Sequence, residues 1–262
     1  MSKADIVVFL GPSLPIERAQ SILSQAEYLP PVAQGDVLGL LRHRPKLIVI
    51  IDGYFHRVPA VWHKEILFAM ETGVNVVGAA SMGALRAAEL SPFGMRGFGQ
   101  IFKWYRDEVI LGDDEVAVLH GPADANYTNL TVPLVNMRAT FAAARSEGLL
   151  TDSGEAIAID IMQQLYYGDR TYESLFERLT ESESATDWAA LETYCREQAV
   201  DQKAKDAEEV LAYAEKWRQH PVKCETRSVS FAHTNYWNDL HNDMNLTVKR
   251  GHSITPEVVH DH

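Results

Sequence analysis

The stretch Val74-Asn-Val-Val-Gly-Ala-Ala-Ser81-Met-Gly-Ala-Leu-Arg-Ala-Ala-Glu-Leu90 holds the residue types best arranged for chemistry. A β-branched run leads into small residues, then a serine, then the start of a helix, so Ser81 stands at a sharp strand-to-helix turn. Such a turn sets a hydroxyl beside the unpaired N–H groups of the first helical turn, here those of Met82 and Gly83, which can hold an oxyanion. The spacing matches the second half of the Gly-x-Ser-x-Gly nucleophile elbow, with Ala79 where the first glycine would stand. The same residues also suit a plainer role, in which Ser81 caps the helix and the small residues let it lie close on a sheet.

A nucleophilic serine needs a base, and two readings are open. Lys64, in the first turns of a helix leaving the Asp52 loop, is one; as a base it must be neutral, through desolvation by Val61, Trp62 and Phe68 or through the positive field of Arg57 or Arg86. The plainer role for Lys64 is an exposed helix lysine. His120 is the other base, with Asp52 orienting its imidazole in a generalised triad, although Asp52-Gly53 and His120-Gly121-Pro122 are also ordinary turn sequences. Gly11-Pro12-Ser13 either cradles an anion through backbone N–H groups or starts the next helix. Gly-x-Gly-x-x-Gly and Walker A sequences are absent, so nucleotide binding has no motif behind it.

These residues meet only if the elements carrying them share an edge. Short β-branched runs alternate with amphipathic stretches in the first half, the pattern of βαβ units and a parallel, Rossmann-like sheet. Strands are expected at Ile6 to Leu10, Leu47 to Ile51, Val74 to Ala79 and Val116 to Leu119. Helices are expected at Ile16 to Ser24, Val37 to His43, Ala60 to Thr72, Met82 to Leu90 and Gly99 to Val109. In a parallel sheet the loops after strands gather at the carboxyl edge, which would bring together Gly11, Ser13, Asp52, Ser81 and His120. From about Val135 helical periodicity takes over, at Met137 to Ser146, Gly154 to Tyr167, Tyr172 to Thr180, Thr186 to Gln198 and Lys203 to Gln219. The fold class is therefore α/β, a parallel sheet followed by a helical C-terminal half. The division expected is an α/β core over 1–134, a helical layer packed on it over 135–220 and an irregular tail over 221–262.

Composition narrows the function. At 262 residues with 46% hydrophobic and 23% charged residues, the chain buries a sizeable core and is neither disordered nor a disulfide scaffold. Thirty-six acidic against 24 basic residues give a net charge of −12, which argues against nucleic acid and anionic lipid as partners. The apolar runs fall far short of the roughly 20 residues of a membrane helix, and the start lacks the shape of a signal peptide, so a cytoplasmic location is expected. Cys195 and Cys224 stand in no metal-ligand spacing, and no metal site is expected.

Taken together, Phe9-Leu-Gly-Pro-Ser13-Leu14, Asp52-Gly-Tyr-Phe55, His63-Lys-Glu-Ile66, Gly78-Ala-Ala-Ser-Met-Gly-Ala-Leu-Arg-Ala-Ala-Glu89 and Val118-Leu-His-Gly-Pro122 resemble the TfuA-like proteins, companions of YcaO enzymes in peptide-backbone thioamidation. The resemblance runs from about Ile6 to Ala144. It implies a Ser–Lys hydrolase site carried by Ser81 and Lys64; the reading of the turn and the carboxyl edge adds Met82, Gly83, Gly11, Ser13, Asp52, His120 and Arg86 in support, and no cofactor is expected. The implied reaction is hydrolysis of the C-terminal thiocarboxylate of a ubiquitin-like, ThiS-like sulfur carrier. It supplies sulfide to a YcaO partner, which binds the peptide substrate and uses the ATP. A carrier tail needs a narrow groove, for which Gly11, Gly53, Gly78 and Gly83 would leave room. The alternative implied is a non-catalytic adaptor that binds YcaO and raises its affinity for the peptide. A third reading is an unrelated esterase or amidase using His120 and Asp52.

Overall fold

The computed structural model describes residues 4–55, 58–125, 127–179 and 187–222. Its sheet has five strands, β1 (Ile6–Phe9), β2 (Glu27–Leu29), β3 (Leu47–Ile50), β4 (Asn75–Ala79) and β5 (Arg96–Phe98), in the order β2-β1-β3-β4-β5. Every neighbouring pair is parallel. β1 and β3 form almost entirely from aliphatic residues because both faces of a parallel sheet are covered. Alternate residues serve opposite layers: Ile6, Val8, Leu47, Val49 and Ile51 face one core, while Phe9, Ile48, Ile50 and Val76 face the other.

Helices α1 (Ile16–Ile22), α2 (Asp36–Leu40), α3 (His63–Glu71), α4 (Met82–Leu90) and α5 (Gly99–Arg106) follow the strands as crossovers. α2 to α5 cover the Phe9 face through Val37, Ile66, Met70, Ala84, Ala87, Ile101 and Phe102. Past α5 the chain makes an excursion and then forms α6 (Leu134–Ser146), α7 (Asp152–Gln163), α8 (Tyr172–Leu179) and α9 (Trp188–Gln198). These four share a separate apolar core that includes Leu134, Phe141, Met162, Leu175 and Leu191.

The last described helix, α10 (Gln202–Gln219), returns to the sheet. Its Ala207, Val210, Leu211, Ala214 and Trp217 pack with α1 on the Ile6 face. Asp206 of α10 also caps α5 from outside, accepting the N–H groups of Gln100 at 2.9 Å and Ile101 at 2.7 Å. Gly99, at φ 85°, admits that carboxylate; a Cβ there would lie 2.1 Å from Asp206 Cγ.

The α/β reading with a helical C-terminal half holds. One expected strand does not: Val116 to Leu119 is irregular, and the fifth strand is Arg96–Phe98, paired with β4. The apolar run there is buried at Val116 and Ala117, but its backbone serves the carboxyl edge instead of a sheet ladder. β2 and β5 are three residues each, and the charged and glycine residues of Arg96-Gly97-Phe98 hide the period of two. Among the described residues no helix is long and apolar enough to cross a membrane. The expected tail lies outside the described residues beyond Val222, as do Arg57 and Cys224.

Candidate active site

The turn around Ser81 is built by close packing. A Cβ on Gly83 would lie 1.8 Å from the Ile50 carbonyl oxygen, and one on Gly78 would lie 2.0 Å from that of Gly83. Glycine at both positions lets α4 touch the backbone of β3 and β4. The chain enters α4 through Ala80 at φ 65°, with Ser81 N–H donating to Ala79 O at 2.8 Å, the three-residue γ-turn that side-chain-bearing residues seldom adopt. Ser81 follows as the residue preceding the helix, 2% exposed, yet its side chain caps nothing. Among the described residues its hydroxyl forms no hydrogen bond, and it does not count among the fully buried side-chain atoms left without a partner. Both Ser81 N–H and Gly83 N–H lie 3.3 Å from Ile51 O, whereas the Met82 N–H has no backbone acceptor among the described residues. Of the two expected oxyanion donors, Met82 stands ready and Gly83 is shared with a carbonyl.

Lys64 occupies the first turn of α3 and is partly buried. The start of α3 is tied to α4 by its neighbours: His63 Nε2 lies 2.8 Å from Glu89 Oε2, Arg86 donates to the same carboxylate at 2.7 Å, and Arg86 Nε donates to Val61 O at 3.1 Å. Hydrogen bonds from His63 and Arg86, with their positive charge, hold Glu89 below the ordinary glutamate value although burial pushes it up. Arg86 thus acts as a brace between the helix carrying Ser81 and the helix carrying Lys64. Glu65, next to Lys64, is buried and accepts N–H groups from Gly35, Trp62 and Leu38, clamping α2 to α3. Burial pushes its carboxyl up to about 7, against those donors.

Asp52 lies at the carboxyl end of β3, where the strand order reverses and doubly wound sheets bind ligands. Its Oδ2 accepts Gly11 N–H at 2.9 Å and Ser13 N–H at 3.1 Å, and its Oδ1 accepts the Ser13 hydroxyl at 2.6 Å. Sequence reasoning missed the cation opposite. Lys203, in the first turn of α10, places Nζ 4.0 Å from Asp52 Oδ1 and 3.0 Å from Val116 O, to which it donates. Burial pushes the Lys203 ammonium below the ordinary lysine value, and Asp52 and Asp201 pull it back. No local pattern marks Lys203, because its partner is 151 positions away and belongs to another layer.

The triad reading finds no support in this geometry: among the described residues Asp52 is bonded to Gly11 and Ser13, not to His120. The His120 Nδ1 lies 2.7 Å from Gly121 O, and its ring stands edge-on to Tyr127 at 5.5 Å. Tyr127 hydrogen-bonds Tyr54, two residues after Asp52, and burial pushes its phenol up to about 12. The expected groove of small residues is also filled. A Cβ on Gly11 would lie 2.5 Å from the Pro31 ring and one on Gly53 would lie 2.7 Å from Met82, so these glycines admit the protein's own side chains. A cavity of about 670 Å³ lies at the opposite edge of the sheet, lined by Lys46, Asn75 and Trp217, away from Ser81. Among the described residues no group of three or more His, Cys, Asp or Glu side chains is arranged to hold a metal. Cys195 is buried among α6 to α9, and burial pushes its thiol up to about 12.

Fold and site together define a parallel, doubly wound α/β protein whose polar residues converge on the carboxyl edge of the sheet. Residues 52–171 match the family described as TfuA-like protein, so this stretch, a little under half of the chain, is TfuA-like, as the residues around Asp52, Ser81 and His120 suggest. That family is associated with YcaO systems and with thioamidation. No curated protein matches the chain.

Proposed function

We propose that the chain is a cytoplasmic hydrolase that releases sulfide from the C-terminal thiocarboxylate of a ThiS-like sulfur carrier for a YcaO partner. The observation carrying this reading is the Ser81 hydroxyl, held at a strained turn with no hydrogen bond among the described residues, whereas the Ser13 hydroxyl at the same edge is bonded to Asp52. Ser81 Oγ attacks the thiocarboxyl carbon as Lys64 takes its proton, and the Met82 N–H faces the developing oxyanion. The C–S bond then breaks, and sulfide leaves with that proton as hydrosulfide. Water attacks the acyl-Ser81 ester, returning the hydroxyl and leaving a carboxylate on the carrier. Sulfide is a better leaving group than an amine, so a lone Ser–Lys pair suffices.

The test is sulfide release from a thiocarboxylated carrier by the intact chain, Ser81→Ala and Lys64→Met, each shown folded by circular dichroism. Loss of most of the rate in both variants is expected. Equal rates in all three would refute the assignment of the nucleophile.

A second reading, an adaptor that docks on YcaO and raises its peptide affinity, is favoured by a different observation. The excursion between α5 and α6 carries Val109, Leu111 and Leu130 at 59%, 78% and 60% exposure. Isolated apolar side chains are common on surfaces, but three on one loop suit a partner face. On this reading Leu111→Asp abolishes the gain in peptide affinity and Ser81→Ala leaves it intact.

A further inference from the structure

The Ile51–Asp52 peptide joins two halves of the site. Through its carbonyl, Ile51 receives the N–H groups of Ser81 and Gly83. Through its side chain, Asp52 gathers Gly11 and Ser13, and its N–H is held by Phe9 O at 3.2 Å. The one cation within ion-pair distance of this carboxylate, among the described residues, comes from α10. Lys203 is itself fixed at both ends: its N–H donates to Asn136 Oδ1 at 3.0 Å, and its ammonium to Val116 O at 3.0 Å. Asn136 in turn donates to Asp201, which caps α10. A long, flexible side chain is thereby held, 4% exposed, with its charge against Asp52.

We infer that Lys203 is a positioning residue of the Ser81 site: it holds the Asp52 side chain, and Asp52 holds the Ile51 carbonyl on which the Ser81 turn hangs. The site is then completed by a helix that lies outside the TfuA-like stretch. Only the kinetic part of the test rests on the hydrolase reading; the structural part does not.

Amide hydrogen exchange is measured on the full chain and on Lys203→Met. The Ser81 and Gly83 amides are expected to exchange at least about tenfold faster in the variant, while those of Val8 and Val49 in the sheet keep their protection. Acceleration of all four together means a merely structural role and overturns the inference, as does no acceleration at Ser81 and Gly83. Lys203→Met combined with Asp52→Asn removes both charges, and the amide can still accept the two loop N–H groups while donating to Ser13. This double variant is expected to restore Ser81 and Gly83 exchange to within about threefold of the intact chain, and it replaces the single variant if that one does not fold. Failure to restore shows that Lys203 does not act through Asp52. In the sulfide assay, Lys203→Met is expected to lower kcat at least about tenfold with KM unchanged. No sulfide release by the intact chain would refute the hydrolase reading while leaving the exchange result to decide the role of Lys203.

Discussion

Ser13 and Ser81 follow two strands of one sheet at the same edge, and their hydroxyls meet opposite fates. The Ser13 hydroxyl donates to Asp52 at 2.6 Å, and the Ser13 N–H is bonded to the same carboxylate. The Ser81 hydroxyl has no hydrogen bond among the described residues and stands after a residue at φ 65°. Backbone strain of this kind persists only where the surroundings enforce it. The first serine belongs to a clamp, and the second is what the clamp and the glycine contacts hold in place. On the proposed function, this difference separates a polar group already bonded at this edge, at Ser13, from one that the described residues leave for a reacting group, at Ser81.

Four expected outcomes put that contrast at risk. The largest concerns Asp52: Asp52→Ala leaves Lys203 buried without its counter-charge and three loop donors unpaired, and should lower unfolding free energy by about 3–5 kcal/mol in urea titrations. Ser13→Ala removes one hydrogen bond to a charged group, with about 1.5–3 kcal/mol expected from the same titration.

Glu65 sharpens the comparison because it is a similar carboxylate clamp that no cation in the described residues neutralises, and its folded value of about 7 lies above the ordinary 4.5. Between those values the folded chain binds a proton that the unfolded chain releases. Stability from this group is therefore present below about 4.5 and is lost as pH rises toward 7. The loss should be about 1–2 kcal/mol, because its backbone donors favour the carboxylate. Glu65→Gln should flatten that part of the pH dependence between pH 5 and pH 8. Ser81→Ala is expected to change stability least, by no more than about 0.5 kcal/mol. A loss as large as that of Ser13→Ala would mean that Ser81 is structural and erase the contrast.

Much of this arrangement was legible in the residues. The aliphatic runs of β1, β3 and β4 and the Ala79-Ala-Ser-Met-Gly83 turn are local signals, and α4 begins and ends where its spacing says. Short strands were not legible, because three residues such as Glu27–Leu29 carry too little alternation to register. The strand expected at Val116 to Leu119 failed for the reverse reason: Val116 and Ala117 are buried by long-range packing that pattern cannot distinguish from a sheet, while Leu119 is exposed. The carboxyl edge itself followed from topology, which is why Asp52, Ser13 and Ser81 were expected there. Lys203 was not, since only the return of α10 to the sheet brings it there. The groove reading of the glycines did not hold at Gly11 and Gly53, which make room for Pro31 and Met82, whereas Gly78 and Gly83 let α4 lie close on the sheet, the plainer of the two roles the sequence offered.

The central claim, that Ser81 and not Ser13 is the reactive serine, is tested most directly by covalent labelling. The intact chain is treated with a fluorophosphonate, and the modified peptide is located by mass spectrometry in the intact protein, Ser81→Ala and Ser13→Ala. A single adduct on the peptide holding Ser81, lost in Ser81→Ala and kept in folded Ser13→Ala, is the predicted result. An adduct on Ser13, or equal labelling of intact protein and Ser81→Ala, would contradict it.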